Sequence, residues 1–196
     1  MKKLISLCVL GLALLAGSVR ANDAETLVRN TSNDVLEMMK KEKNDKKLRE
    51  QIEQRVLPYF DFSRMTGLAV GLPWRSASDQ QKSQLTDEFK TLLIRTYSST
   101  LTSYKVQAIE VKPVRADANA NDVTVLTDVS VSGQQPVAIN YKLRKVEQNW
   151  RVYDVVVGGV SLVTNYRGSF GDTIKQSGID GLVKSLKDKN TANAGK

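Results

Sequence analysis

Apolar side chains recur at helical spacing through the first half of the chain. This periodicity predicts three helices there, over residues 22–43, 45–57 and 79–99. Asn44 is placed to cap the second helix and Pro58 to end it, because proline has no amide hydrogen to donate. The third helix begins behind Ser78 and Gln81, which have the spacing of a capping box. Each helix has an apolar stripe that must be buried against another element.

Beyond Tyr104 the period of the apolar positions changes from about 3.6 residues to 2, which predicts β-strands. Four strands follow, over residues 105–114, 123–131, 137–144 and 150–157. The links between them are short and rich in Asn, Asp or Gly, so the strands are expected to form an antiparallel meander. Gly178 then separates two closing helices. They are predicted over residues 165–176 and 179–187.

Helices followed by an antiparallel sheet and further helices predict a single α+β domain. One face of the sheet is rich in β-branched residues and needs a cover, for which the helix over residues 79–99 is the natural candidate. A strongly twisted sheet of about four strands, with helices across its concave face, leaves a cone between the layers. This cone can be filled by side chains or by a ligand.

Two stretches carry a surplus of apolar and aromatic side chains, residues 59–74 and 155–170. In the second, the apolar residues stop alternating after Asp154 and run on to Gly158 and Gly159, where the strand ends. A half-buried strand alternates between apolar and polar residues, so this strand is predicted to be apolar on both faces. It is either an ordinary core strand or a strand whose surface continues as the wall of a cavity.

The N-terminus has the three parts of a secretory signal. Lys2 and Lys3 form the basic region, residues 4–16 the apolar region, and Val19-Arg20-Ala21 a small-residue cleavage site. The apolar region is too short to span a bilayer as a helix. We therefore expect an exported protein. Its predicted segments are a cleaved signal over residues 1–21, one α+β domain over 22–190 and a disordered tail over 191–196.

Two features of the composition limit the kinds of catalytic and metal site that the chain can form. The sequence has no histidine, and its one cysteine, Cys8, lies within the predicted signal. Histidine triads, thiol catalysis and imidazole or thiolate metal sites are therefore excluded for the mature chain. The net charge of +8 falls to +5 without Lys2, Lys3 and Arg20. The remaining basic residues are scattered among acids, which does not favour nucleic-acid binding.

Two rival functions stay open on the residues alone. An enzyme of this fold can use Asp154, beside Tyr153 on the fourth strand, or Asp61, among aromatic residues, as a general base. Each carboxylate also has a simpler interpretation. Asp154 suits a helix N-terminus or a Lys/Arg partner, and Asp61 suits a helix cap. The other rival is an exported adaptor whose apolar stretches contact proteins and which has no internal cavity.

Four segments of the chain resemble one known family. They read LPYFDFSRMTGLAVGLPWRSAS (57–78), DEFKTLLIRTYSSTL (87–101), WRVYDVVVGGVSLVTNYRGSF (150–170) and GIDGLVKSLK (178–187). In this order, and behind a signal peptide, they are similar to the MlaC or toluene-tolerance auxiliary family of periplasmic phospholipid-shuttle proteins of Gram-negative bacteria. The likeness covers most of residues 44–188.

The resemblance implies a fold related to the NTF2-like cone, with a hydrophobic cavity that takes both acyl tails of a phospholipid. It implies no catalysis and no cofactor, with phospholipid as cargo. The partners it implies are an outer-membrane lipoprotein–porin complex and an inner-membrane ABC transporter bearing a ring of MCE domains. Transfer between them is linked to outer-membrane lipid asymmetry. We expect a periplasmic monomer with no nucleic-acid partner; an adaptor that binds no lipid is the alternative.

The candidate cavity lining is drawn from the apolar faces of the predicted elements, and each member can equally be ordinary core. The candidates are Phe60, Met65, Leu68, Val70, Phe89, Leu93, Tyr97, Tyr104, Val125, Val129, Ile139, Tyr141, Val152, Val156, Val160, Val163, Tyr166 and Phe170. Arg95 and Arg167 are the candidate contacts for a lipid phosphate at the mouth, although either can be an ordinary solvated or salt-bridged arginine. No catalytic or metal-ligating residue is predicted.

Overall fold

The structure, a computed structural model, describes residues 19–192 apart from 104 and 118–119. For residues 19–22 and 98–103 it describes the backbone alone. Residues 1–18, which form most of the predicted signal peptide, lie outside the described residues, as do residues 193–196 of the predicted tail. None of the helices in the described part of the chain is both long enough and apolar enough to cross a membrane.

In the described part of the chain, four helices precede five strands, and a fifth helix follows them. The helices are α1 (Val19–Lys41), α2 (Asp45–Val56), α3 (Phe62–Val70), α4 (Asp79–Ser103) and α5 (Leu162–Ala192). The strands are β1 (Val106–Val111), β2 (Asp122–Val131), β3 (Val137–Val146), β4 (Asn149–Val157) and β5 (Val160–Ser161). Single turns of 3-10 helix flank α3 on both sides, at Leu57–Tyr59 and Leu72–Arg75.

The strands form one antiparallel sheet in sequence order, β1-β2-β3-β4-β5. The predicted α+β class and the antiparallel meander are therefore confirmed. The sheet has one strand more than predicted, because β4 turns back at Gly158 and Gly159 into the two-residue β5. Both glycines have positive φ, 55° and 86°, which suits a tight two-residue hairpin turn.

The helix starts follow the predicted capping residues. The Asn44 side chain accepts a hydrogen bond from the Lys47 amide at 2.9 Å. Ser78 and Gln81 form a reciprocal capping box, in which the Ser78 amide donates to Gln81 Oε1 at 3.0 Å and the Gln81 amide to Ser78 Oγ at 3.2 Å. These bonds satisfy amides that a helix leaves unpaired at its first turn.

The last helix, α5, is two helical segments joined at Gly178, where φ is 72° and ψ is −175°. The predicted break at this glycine is confirmed. The first segment begins at Leu162, three residues before the predicted start. The second continues to Ala192, so the first two residues of the predicted disordered tail are helical.

One face of the sheet is buried, and we call it the inner face. On β2 it carries Val123, Val125, Thr127, Val129 and Val131, which are buried and alternate with more exposed residues. Helix α1 packs on this face through Ala24, Leu27 and Val28. The prediction that the helix over residues 79–99 covers the sheet is wrong, because α4 instead packs mainly against α5, α3 and α2. Its apolar stripe meets the apolar sides of other helices.

Candidate functional site

The apolar interior is divided into two clusters, one in each layer. The helical cluster joins α3, α4 and α5, and its buried residues are Met65, Ala69, Val70, Leu85, Phe89, Leu92, Leu93, Val163, Phe170, Leu182 and Leu186. The sheet cluster joins the inner face to α1, and its buried residues are Ala24, Val28, Val111, Val123, Val125, Leu143, Trp150, Val152 and Val155. Phe60 is half-buried and packs against both clusters. The interior therefore has a seam between the layers, at Phe60.

Three aromatic rings form the centre of the helical cluster. The Phe89 ring lies edge-on to Tyr166 at 5.1 Å and to Phe170 at 5.2 Å, measured between ring centroids. Tyr166 and Phe170 are 5.5 Å apart, one helical turn from each other on α5. Edge-to-face contacts of this kind fix the rings relative to one another. Helix α5 is thereby held to α4.

Phe60 is held against the sheet by its neighbour in sequence. The Asp61 amide donates to the Val152 carbonyl at 2.8 Å, and Phe60 pairs with Val152 in an isolated parallel bridge. The Asp61 carboxylate forms an ion pair with Arg144 at 3.0 Å and accepts from the Arg64 amide at 2.9 Å, which caps α3. The simpler interpretation of Asp61, as a helix cap, is confirmed.

Asp154 connects strand β4 to the start of helix α5. Its carboxylate is buried, and Ser161 Oγ donates to it from 2.8 and 2.9 Å. The Val163 amide donates at 3.3 Å, and Lys142 Nζ lies at 3.1 Å. Asp154 therefore has both partners that the simpler interpretation named, a helix N-terminus and a lysine. With its oxygens engaged in this way, it is poorly placed to take a proton from a ligand.

The unbroken apolar run on β4 has a geometric cause. Lys142 pairs with Asp154 and the next residue, Leu143, pairs with Val152, so Tyr153 is an extra residue in a β-bulge. Residues directly opposite each other lie on the same face. Val152 and Val155 therefore share the inner face, whereas Val156, which pairs with Asn140, lies on the outer face. The bulge brings apolar residues to both faces.

The structure distributes the candidate lining residues between the two clusters. In or against the helical cluster lie Phe60, Met65, Leu68, Val70, Phe89, Leu93, Tyr97, Val163, Tyr166 and Phe170. In or against the sheet cluster lie Val125, Ile139, Tyr141 and Val152, together with Phe60.

Of the remaining four candidates, three are described and belong to neither cluster. Val129 is buried on the inner face, and Val156 is half-buried on the outer one. Val160 is 58% exposed at the hairpin turn, so its side chain is on the surface. Tyr104 lies outside the described residues.

Several large apolar residues on the inner face are left only half-buried. They are Ile139, Tyr141 and Val157, in adjacent positions of β3 and β4. Tyr141 lies deep in the protein, where loss of hydration raises the pKa of its phenol to about 12. It nevertheless keeps accessible surface. The phenol is therefore desolvated although the residue as a whole is only half-buried.

The helical cluster contains a tyrosine pair, Tyr97 and Tyr166. Desolvation, followed by the interaction with Tyr166, raises the pKa of Tyr97 to about 12. The two phenols are hydrogen-bonded to each other, and both rings are half-buried against the helical cluster. The hydrogen bond between the two hydroxyl groups thus joins α4 to α5, while both rings pack against the helical cluster.

The two candidate phosphate contacts have other partners. Arg95 is exposed, and its guanidinium donates to the Asn190 carbonyl of α5. Arg167 is exposed, and its Nε lies about 3.5 Å from the position that a Cβ at Gly71 would occupy. Arg95 is thus bonded within the chain, and Arg167 lies beside Gly71.

An open groove of about 560 Å³ lies between α2 and α4, beside the seam. The residues that line it are Glu50, Glu53, Gln54, Leu57, Pro58, Phe60, Phe62 and Lys90. Of these, only Phe60 is among the candidate lining residues. The others could not be assigned from the sequence, because Glu50 and Lys90 look like ordinary exposed positions on separate helices. No group of three or more potential metal-binding side chains occurs within the described ranges.

Residues 29–188 match the family model described as MlaC protein. The intermembrane phospholipid transport system binding protein MlaC of Haemophilus influenzae is 24% identical over 143 residues, which are 71% of this chain and 67% of that protein. The toluene tolerance protein ttg2D of Pseudomonas putida is 27% identical over 106 residues, 54% of this chain and 49% of that protein.

A solved structure has the same fold. The phospholipid-binding protein from Ralstonia solanacearum, in complex with a phospholipid, superimposes with a TM-score of 0.79. It is 36% identical, and the match covers 88% of this chain and 99% of that one.

Proposed function

The chain belongs to the MlaC family, and from this premise we propose that it is a periplasmic phospholipid-binding transport protein. The observation that carries the proposal is the phospholipid bound to the Ralstonia protein, which shares this fold and 36% of its aligned residues. The half-buried inner face at Ile139 and Tyr141 supports the same function. We propose that the acyl tails lie there, between the sheet and the helical layer.

The free energy of moving a phospholipid out of a bilayer explains why such a protein needs an apolar interior that can open between its two clusters. Burial of a methylene contributes about 0.8 kcal/mol, so two tails of about sixteen carbons represent roughly 25 kcal/mol of gross burial. A free phospholipid cannot leave a bilayer at a useful rate against that cost. A protein interior that replaces bilayer hydrocarbon with apolar side chains makes the exchange nearly balanced. Because the two clusters meet at a seam, tails can enter between them without either core being dismantled.

We propose that the protein catalyses no reaction. The two carboxylates that an enzyme of this fold would have used are engaged structurally, Asp61 with Arg144 and a helix start, Asp154 with Lys142 and Ser161. Phospholipid is the cargo, and no cofactor is required for its transfer.

The finer features are also proposals. After cleavage near Ala21, a monomer would take phospholipid between an outer-membrane lipoprotein–porin complex and an inner-membrane ABC transporter bearing a ring of MCE domains. This exchange would maintain outer-membrane lipid asymmetry. Two relatives motivate this proposal. One is the binding protein of an intermembrane phospholipid transport system in Haemophilus influenzae, and the other is a toluene tolerance protein of Pseudomonas putida.

Transfer between vesicles tests the carrier function. Donor vesicles containing a fluorescent phospholipid are separated from acceptor vesicles by a membrane that passes protein but not vesicles. We expect the purified mature chain to move the fluorescent lipid to the acceptors at a rate proportional to protein concentration. Transfer no faster than in buffer without the protein would contradict the carrier function and favour a non-lipid-binding adaptor.

A further inference from the structure

The groove between α2 and α4 has two chemically different sides. Glu50 and Glu53 line it from α2, three residues apart and thus on one side of that helix. Lys90 lines it from α4. Phe60 and Phe62, whose rings stack at a centroid distance of 5.6 Å, also line the groove. The groove therefore presents acidic side chains from α2, a basic one from α4 and two aromatic rings.

The charged side chains of the groove, Glu50, Glu53 and Lys90, form no ion pairs among the described residues, although ten other pairs are formed there. Lys90 Nζ instead lies 5.5 Å from the centroid of the Phe62 ring, a cation–π contact that holds it over the groove. Two carboxylates and one ammonium group thus line the groove, with a net charge of −1.

The groove and the seam share a residue. Phe60 lines the groove and also packs against both apolar clusters. A ligand with its apolar part in the seam would thus have its polar part at this groove. At about 560 Å³, the groove is within the range of small-molecule sites.

We propose that this groove binds the headgroup of a zwitterionic phospholipid, with the phosphate near Lys90 and the ammonium group near Glu50 and Glu53. The inference rests on the proposed function, because the tails must occupy the seam. An anionic headgroup without an ammonium group would satisfy Lys90 but would meet two unpaired carboxylates. The groove therefore selects zwitterionic over anionic headgroups. Arg95 and Arg167, the candidates from the sequence, have no part in this site.

A competition experiment tests the selectivity. The mature protein is loaded from vesicles of equal amounts of phosphatidylethanolamine and phosphatidylglycerol with identical tails, and the bound lipid is identified by mass spectrometry. We expect phosphatidylethanolamine to be enriched about fivefold, the ratio that about 1 kcal/mol of exposed ion pairing gives. Glu50→Gln combined with Glu53→Gln should remove most of this enrichment while the total lipid bound stays the same.

A second double variant controls for overall charge. Glu110→Gln with Asp172→Asn makes the same change of charge at exposed positions outside the groove, and it should keep the enrichment. If the groove variant retains the full enrichment with lipid loaded, the headgroup site is wrong and the carrier function stands. If the unaltered protein takes up neither lipid, the proposed function itself is wrong, and the headgroup site falls with it.

Discussion

Asp154→Ala is expected to lower the free energy of unfolding by about 3 kcal/mol, measured by urea denaturation. The substitution leaves the Ser161 hydroxyl and the Val163 amide without their acceptor and Lys142 without its counterion. The loss should not reach the full cost of a broken buried ion pair. Lys142 keeps 39% of its side-chain surface exposed, so its ammonium group can be rehydrated.

Two companion variants separate charge from hydrogen bonding. Asp154→Asn keeps an oxygen that Ser161 can donate to, so it should cost less, about 1–2 kcal/mol. Asp172→Ala removes a carboxylate from an exposed position of α5 and should change stability by no more than about 0.5 kcal/mol. If Asp154→Ala were as mild as Asp172→Ala, the connection between β4 and α5 would not depend on this carboxylate.

Ile139→Trp is expected to reduce the phospholipid bound per protein by at least about tenfold, as measured by mass spectrometry of the chloroform extract. Ile139 is half-buried on the inner face beside Tyr141, where we place the acyl tails. An indole there would fill the space that the tails need. Since the position is not closed off by side chains, the ring should fit without unfolding the protein, and stability should stay within about 1 kcal/mol.

Two positions provide matched controls for this variant. Asn140 is the next residue on the same strand and lies on the outer face, so Asn140→Trp should bind lipid normally. Val125 is fully buried in the sheet cluster, so Val125→Trp should overpack the core and lose about 3 kcal/mol of stability. Normal lipid binding by a folded Ile139→Trp variant would place the tails elsewhere.

The features that follow from local chemistry were predictable from the sequence. The caps at Asn44 and at Ser78 with Gln81, the break at Gly178 and the alternation on β2 each depend on a few neighbouring residues. Such signals act within one or two turns or along one strand. The predicted elements are therefore close to the observed ones, and so is the α+β class.

The cover of the sheet was not predictable, because an apolar stripe shows that a helix face is buried without showing against what. Helices α1 and α4 both have an apolar stripe, yet only α1 covers the sheet. The bulge at Tyr153 was not predicted either. The loss of alternation after Asp154 indicated a strand that is apolar on both faces, but it did not show that an extra residue is the cause. The groove joins residues as distant as Glu50 and Lys90, and periodicity cannot bring them together.

The most direct measurement of the central claim is native mass spectrometry of the mature protein, purified from its bacterial host without detergent. We predict a species heavier than the bare chain by the mass of one phospholipid, and the same phospholipid in a chloroform extract. A single species at the mass of the bare chain, with no phospholipid in the extract, would contradict the account.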